Sequence, residues 1–353
     1  MTLHPSRWLV GVSALLALPA AMASERVQVV TSFSILADMV EQVGGEHVEV
    51  TSLVGADGDA HVYTPSPGDA RALADADLVV FNGLLFEGWM ERLIDSSDYT
   101  GALVTATQGI EPLARSGSDD HGDHEHGHDD HAHDDHGHDD HGHDDHGHDE
   151  HAHGDDDPHA WQDLARAETY VENIRDGLIE ADGDNREAYQ DNAERYLAEI
   201  QAADEEIRAL IEEIPASTSV ITGHDSFGYF ADAYGVRFLS PVGLSTEADP
   251  SGASMAELID VIEEENVEAL FHENMTNQSV LDQLAEETGL SVAGTLYADA
   301  LSSEGEASTY LGMMRHNAKT LHDALAEPGH EASGHDDHDH DHDHDHDHSE
   351  HSH

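Results

Sequence analysis

The sequence predicts an α/β protein with two lobes, each a mostly parallel sheet flanked by helices, joined by one long rigid helix. Two observations predict this class: short β-branched apolar runs alternate with helical stretches in both halves of the chain, and one long amphipathic helix separates the halves. Strands that alternate with helices form parallel sheets covered on both faces. The 353-residue chain is long enough for two domains of ordinary size.

Both halves contain four predicted strands. In the first half the predicted strands are 27–31, 48–54, 78–82 and 103–105, and the predicted helices are 35–43, 67–74 and 87–94. In the second half the predicted strands are 220–222, 236–239, 269–272 and 292–297, and the predicted helices are 227–234, 255–265, 280–288 and 307–325. A further helical stretch begins at Pro158-His159, because proline fits the first turn of a helix.

The strongest helical signal lies between the halves, over residues 185–214. Its apolar residues are spaced alternately four and three apart: Tyr189, Ala193, Tyr196, Ile200, Ala203, Ile207, Leu210 and Ile214. This helix would span about 45 Å at about 1.5 Å per residue, and Pro215 would end it. A coiled-coil dimer is the alternative for such a spacing. The alanine- and tyrosine-rich stripe favours packing across both lobes of a monomer.

The first 23 residues resemble a secretory signal peptide, with Arg7, an apolar stretch and the small-residue site Ala21-Met22-Ala23. The mature chain would then begin near Ser24. No other segment has the about 20 apolar residues that a transmembrane helix needs, so we expect no membrane insertion. The sequence has no cysteine, which excludes disulfides and a lipid-anchored cysteine. These features predict a periplasmic protein.

Charge is strongly negative, with 76 acidic and 13 basic residues and a net charge of −63. Such a chain is a poor partner for nucleic acid or an anionic membrane. Many acids lie in two histidine-rich segments, residues 119–157 and 330–353, whose repeats fit neither the helix nor the strand period. We expect both to be disordered and to collect divalent metal through imidazole and carboxylate groups. The candidate auxiliary ligands of the first segment are His121, His124, His126, His128, His131, His133, His136, His138, His141, His143, His146, His148, His151 and His153.

Elsewhere, three histidines and one aspartate stand at predicted strand ends or turns: His61, His159, His224 and Asp299. Three imidazoles and one carboxylate form a four-coordinate shell suited to zinc. Their separations match no local motif, so the spacing alone does not prove a site.

Several other polar residues are alternatives or supporting candidates. His272 beside Glu273 is a rival ligand, and Asp225 or Glu247 could orient an imidazole from behind. We expect the remaining histidines to be solvated: His47, His316 and His322.

Four motifs in this order resemble the zinc/manganese solute-binding proteins of bacterial ABC transporters, the ZnuA/TroA type. They are His61 with Tyr63-Thr64-Pro65-Ser66-Pro67, then Asp157-Pro158-His159-Ala160-Trp161, then His224-Asp225-Ser226-Phe227-Gly228-Tyr229-Phe230, and Asp299. Within that family, residues 296–302 and 309–317 look most like the AztC subgroup. The loop before His61 departs from the family, which often has proline ahead of this histidine.

The resemblance implies a metal held between two lobes and delivered to an ABC permease, with a periplasmic zinc donor as a further candidate partner. It places His61 and His159 in an amino-terminal lobe, residues 24–118 and 158–184. His224 and Asp299 fall in a carboxyl-terminal lobe, residues 215–329.

The same resemblance bears on the identity of the metal. Manganese receptors of this type resemble the pattern with glutamate where His224 stands, so Zn²⁺ is the expected cargo and Mn²⁺ is less favoured. A shell filled by protein ligands has no position for an activated water, so we expect no enzyme activity. The alternatives are a manganese or broad divalent-metal receptor and a periplasmic zinc buffer or storage protein.

Overall fold

The computed structural model describes residues 26–114, 156–244, 246 and 250–326. Within them, two four-stranded parallel sheets have the same topology. The first has the order β2-β1-β3-β4, with β1 Val27–Phe33, β2 Val48–Val54, β3 Leu78–Phe81 and β4 Ala102–Thr105. The second has the order β6-β5-β7-β8, with β5 Ser219–Ile221, β6 Arg237–Leu239, β7 Val267–Glu273 and β8 Val292–Leu296. The predicted fold class is confirmed.

Helices cover the sheets and connect successive strands. The first half contains α1 Ser34–Gly44, α2 Pro67–Ala74, α3 Met90–Ser97, α4 Leu164–Ala181 and α5 Arg186–Ile211. The second half contains α6 Gly228–Tyr234, α7 Gly252–Glu264, α8 Ser279–Thr288 and α9 Tyr310–Leu325. Local signals set several ends: Ser66 and Asp69 form a capping box at α2, and Gly289 ends α8 in a left-handed conformation.

The long helix α5 bridges the two halves. Its 26 residues give a length of about 39 Å, and it contacts α1 and α4 from the first half and α6 and α9 from the second. The buried stripe follows the predicted positions from Tyr189 to Ile207. The predicted end at Ile214 is wrong, because α5 ends at Ile211. After Ile211 the chain continues in turns with hydrogen bonds between residues three apart, as in a 3-10 helix, and Ile214 N–H donates to Ile211 O at 3.0 Å.

Three predicted helices begin later than their sequence signals indicate: α4 at Leu164 rather than 158–159, α9 at Tyr310 rather than 307, and α3. Residues 87–94 were expected to be helical, whereas α3 begins at Met90. The Glu87 side chain is buried instead, and its carboxylate accepts hydrogen bonds from Ser32 Oγ and from Asn82 N at 2.5 and 2.7 Å. These contacts hold the chain in a turn that a helix starting at residue 87 would break.

A continuous apolar core runs through both lobes. It includes β1 and β3, the buried stripe of α5, and residues of β7, β8 and α9. A smaller cluster on the second lobe contains Leu258, Leu270 and Leu284. The shared core holds the two sheets together, and polar side chains follow the carboxyl ends of their strands.

Three predicted segments fall outside the described residues: the signal peptide 1–23, almost all of the histidine-rich segment 119–157, and the tail 330–353. The chain on either side of the first histidine-rich segment is described. Ala114 and Asp156 form an antiparallel bridge, and Asp157 N–H donates to Leu113 O at 2.8 Å. Among the described helices, none combines the length and apolar character needed to cross a membrane.

Candidate metal centre

The two sheets direct their polar strand ends into the crevice between the lobes. His61 follows β2, His224 comes three residues after β5, and Asp299 follows β8, while His159 precedes α4. In the order β6-β5-β7-β8, the chain adds β6 on one side of β5 and then adds β7 and β8 on the other side. The boundary between β5 and β7 is therefore a topological switch point. Open α/β sheets bind ligands outside the carboxyl ends of strands at such a switch point. His224 therefore stands where this topology places a ligand.

The structure brings the four predicted site residues together. Their ligand atoms all lie within 4.8 Å of one another. Asp299 Oδ2 is 3.0 Å from His224 Nε2 and 3.2 Å from His61 Nε2. His159 Nε2 is 3.4 Å from His61 Nε2 and 3.7 Å from Asp299 Oδ1. Ligand atoms bound about 2.0–2.1 Å from one tetrahedral zinc ion lie roughly 3.3 Å apart, so these spacings fit a single ion.

Burial and missing hydrogen bonds also favour a cation. None of the four side-chain residues is more than 9% exposed. Among the described residues, His224 Nε2 and both carboxylate oxygens of Asp299 have no hydrogen-bond partner, although Asp299 Oδ2 lies 3.0 Å from His224 Nε2. A buried polar atom without a partner costs about 1–3 kcal/mol. One metal ion at the common point of the four residues would satisfy His224 Nε2 and one carboxylate oxygen of Asp299.

Glu273, at the end of β7, orients His224 from behind. Its Oε2 lies 2.5 Å from His224 Nδ1, and its Oε1 accepts the backbone N–H of His224 at 3.0 Å. The Glu273 side chain is fully buried. A carboxylate that accepts Nδ1–H leaves the Nε2 lone pair free to bind a metal.

Asp157 holds His159 in a similar way, but through one oxygen. Asp157 Oδ1 lies 2.7 Å from His159 Nδ1 and accepts the His159 backbone N–H at 2.9 Å. His61 is fixed through its backbone, because its N–H donates to Asp59 Oδ1 at 2.9 Å. Each imidazole therefore has its own support within a few residues or on a neighbouring strand.

Aromatic rings wall the site on the side of the first lobe. Phe86 packs edge-on against His61 at 4.7 Å between ring centroids, and Trp161 packs against His159 at 5.3 Å. Phe33 contacts both Phe86 and Trp161. These rings exclude water from one side of the cluster, which strengthens the interaction between a cation and Asp299.

The site's charges are mutually stabilised. Burial and the neighbouring imidazoles lower the pKa of His61 below its ordinary value. Burial alone would lower the pKa of His224, but the negative charges of Glu273 and Asp299 outweigh it and raise that pKa well above its ordinary value. Burial would raise the pKa of Asp299, but the imidazoles of His224 and His159 hold it well below its usual range. A proton on His224 would therefore compete with a metal ion for this site.

Some supporting residues were missed in the sequence. Of the two candidates for orienting an imidazole, Glu247 lies outside the described residues. The support for His224 comes from Glu273, and its neighbour His272 lies apart from the cluster and pairs with Asp282 at 3.0 Å. The pairing of Glu273 with His224 depends on β7 lying beside β5, and sequence order does not give strand order.

Comparison with known proteins identifies the family. Residues 29–324 match the family model described as the periplasmic component A of the zinc-uptake complex. The chain belongs to this family. It is therefore a periplasmic metal-binding receptor of the ABC transporter type. The resemblance to the ZnuA/TroA type is confirmed at this level. As a substrate-binding component, the receptor is expected to work with an ABC permease.

The names and descriptions of individual relatives mention different metals. The receptor is 31% identical to the manganese-binding lipoprotein MntA of Halalkalibacterium halodurans over 306 residues, covering 86% of this chain and 90% of the relative. A manganese-bound variant of the periplasmic metal-binding protein of Candidatus Liberibacter asiaticus superposes with a TM-score of 0.70 at 28% identity, over 85% of this chain and 100% of the other. The periplasmic zinc-binding protein TroA of Treponema pallidum shares the fold, with a TM-score of 0.72 at 24% identity, over 86% of this chain and 100% of TroA.

Proposed function

We propose that this receptor captures Zn²⁺ with His61, His159, His224 and Asp299 and delivers it to an ABC permease for high-affinity zinc uptake. The observation that carries the proposal is the convergence of these four buried side chains within 4.8 Å, with unpartnered atoms on His224 and Asp299. The cargo ion would be fully wrapped by protein. A receptor needs this, since it must hold the ion without reacting with it.

The composition of the shell supports zinc over manganese. Three imidazole nitrogens and one carboxylate suit zinc, whereas manganese prefers oxygen-rich shells, and a nitrogen-containing site generally binds Zn²⁺ more tightly than Mn²⁺. Two of the relatives above are named or described with manganese. The competing proposal is therefore a manganese or broad divalent-metal receptor, in which His224 contributes less to selection than the rest of the site.

We also propose that the two histidine-rich segments collect zinc for the cleft. The first segment leaves and re-enters the described structure at the paired residues Ala114 and Asp156, and the second of these lies three positions before His159. As a flexible chain, half of this segment, about 20 residues, would span about 25 Å, which would let its histidines reach the crevice. Weak binding there would raise the local supply of metal.

The residues 296–302 and 309–317 remain the basis for proposing an AztC-like subgroup with a periplasmic zinc donor. In the same proposal, residues 1–23 are a cleaved signal peptide and the receptor acts as a monomer. A pull-down of the candidate donor with metal-loaded and metal-free receptor would test that partnership.

Zinc titration of two proteins tests the main proposal. One is the full chain, and the other lacks residues 119–155 and 330–353 but keeps the Ala114–Asp156 bridge. In competition with a strong chelator, we expect the shortened protein to keep one tight zinc site and to lose the weaker equivalents. A shortened protein with no tight site would support a zinc buffer instead.

Metal preference is tested on the same shortened protein. We expect Zn²⁺ to displace Mn²⁺ at equal concentrations, and we expect His61→Ala or His159→Ala to weaken Zn²⁺ binding. Retention of Mn²⁺ against equimolar Zn²⁺ would contradict zinc selectivity and favour the manganese receptor.

A further inference from the structure

The loop that carries Asp299 belongs to the second sheet in sequence but is held largely by the first lobe. Trp161 Nε1 and Gln162 Nε2 both donate to Ala298 O, at 2.9 and 2.8 Å. Leu301 N–H donates to Ser34 Oγ at 3.0 Å. Side chains of the first lobe therefore form hydrogen bonds with this loop on both sides of Asp299.

Asp57, also in the first lobe, forms three hydrogen bonds with the second lobe. Its backbone N–H donates to Leu301 O at 2.9 Å, and its Oδ2 accepts Ser303 N–H at 3.2 Å. Its Oδ1 accepts a hydrogen bond from Asn274 Nδ2 at 3.1 Å. The same Asn274 nitrogen donates to Ala300 O at 3.2 Å. One carboxylate on the first lobe thus ties together the loop after β8 and the end of β7.

The position of Asp57 in the chain explains why it can do this. It lies in the loop after β2 that leads to His61, and its φ of 58° is in the left-handed region. Aspartate, asparagine and glycine tolerate this conformation better than other residues.

Asp299 itself has no hydrogen-bonding partner among the described residues for either carboxylate oxygen. Apart from the contacts of its side chain with the imidazoles of His224 and His61, its placement depends on the hydrogen bonds of its backbone neighbours at positions 298 and 300–303. We propose that Asp57 is a positioning residue for the metal ligand Asp299, an inference that rests on the proposed metal site. Through this contact His61, His159 and Asp299 form one prearranged half of the site, and His224 completes it from the rest of the second lobe.

The test uses two aspartates with the same backbone conformation. Asp57→Gly removes the carboxylate but keeps the left-handed turn, and Asp98→Gly is the matched control. Asp98 has a φ of 55°, is exposed, and ends α3 in the same lobe. Zinc affinity of the full chain is measured by chelator competition, and the melting temperature of each metal-free protein is recorded. Loss of a group that orients a ligand typically weakens metal binding about 10- to 100-fold, and we expect this for Asp57→Gly and no change for Asp98→Gly.

Double-mutant cycles separate positioning from general loosening of the interface. If Asp57 acts through Asp299, Asp57→Gly has no further effect on affinity in an Asp299→Ala protein but keeps its full effect in a His224→Ala protein. Asp57→Asn, which retains one acceptor oxygen, should recover part of the affinity.

Each outcome bears on a specific claim. An equal loss in both backgrounds, or no loss at all while the wild type binds zinc tightly, overturns the positioning role and leaves the proposed function intact. A wild-type protein without a tight zinc site overturns both.

Discussion

Replacing Glu273 by glutamine tests how the receptor orients Nε2 of His224, the atom that we propose binds the metal. In the native site the two carboxylate oxygens accept two different N–H groups, Nδ1 at 2.5 Å and the backbone N–H at 3.0 Å. Glutamine has one acceptor oxygen. If that oxygen stays on the backbone N–H, the amide NH₂ faces Nδ1 and favours the tautomer with the proton on Nε2. That proton would occupy the atom that should bind zinc.

The expected loss follows from the hydrogen bond that is removed. A hydrogen bond to a charged group contributes about 1.5–3 kcal/mol, equivalent to about 10- to 150-fold in affinity. Removing the negative charge also lowers the pKa of His224, which reduces proton competition and offsets part of the loss near neutral pH. The comparison is therefore made at the alkaline end of a pH series, where the imidazole is neutral in both proteins.

Asp157→Asn is the internal comparison, because both N–H groups of His159 contact the same oxygen, Asp157 Oδ1. Asparagine keeps that oxygen, so only the charge is lost, and we expect a decrease in affinity of about fivefold or less. Asp282→Asn alters the partly exposed pair with His272 and should change nothing. The assay is chelator competition for Zn²⁺. Equal losses for Glu273→Gln and Asp157→Asn would refute the tautomer argument.

Three further predictions concern pH, metal preference and stability. Because the pKa of His224 is raised, zinc affinity should increase with pH until this imidazole is neutral and fall on acidification; the pH series checks this, and a flat profile would contradict it. His224→Glu alone should bind both metals poorly, since it places a second carboxylate beside buried Glu273, whereas His224→Glu with Glu273→Gln should shift preference towards Mn²⁺ in a competition titration. Glu87→Ala leaves the buried N–H of Asn82 without its acceptor and should lower the free energy of unfolding by about 3 kcal/mol, measured by urea denaturation with exposed Glu91→Ala as the control; a loss no larger than the control's would show that Glu87 is dispensable.

The sequence predicted much of the local structure because the signals were local. Alternating apolar runs predicted all eight described strands to within a few residues, and the stripe from Tyr189 to Ile207 predicted the long helix. Errors arose where a contact distant in sequence decided the conformation. The inward turn of Glu87 towards Ser32 delayed α3, and no pattern around residue 87 shows that contact.

In the candidate site, too, the sequence predicted the ligands but not the distant residues that support them. Motif resemblance and strand-end position selected His61, His159, His224 and Asp299, and the Asp157-Pro158-His159 motif carried its own support. Glu273 and Asp57 were not found as supporting residues. Each acts on a ligand that is close only after the sheets form, 49 residues away for Glu273 and His224, and across the lobes for Asp57 and the loop of Asp299.

By itself, the sequence determined the alternation of strands and helices, the bridging helix, the acidic histidine-rich segments and the types of side chain available to a metal, because these properties reside in short stretches of chain. The tertiary structure decided which atoms face a common point, which tautomer each carboxylate favours, and which lobe holds Asp299. Those depend on strand order and on hydrogen bonds between lobes. They are set by distances in space that residue order does not contain.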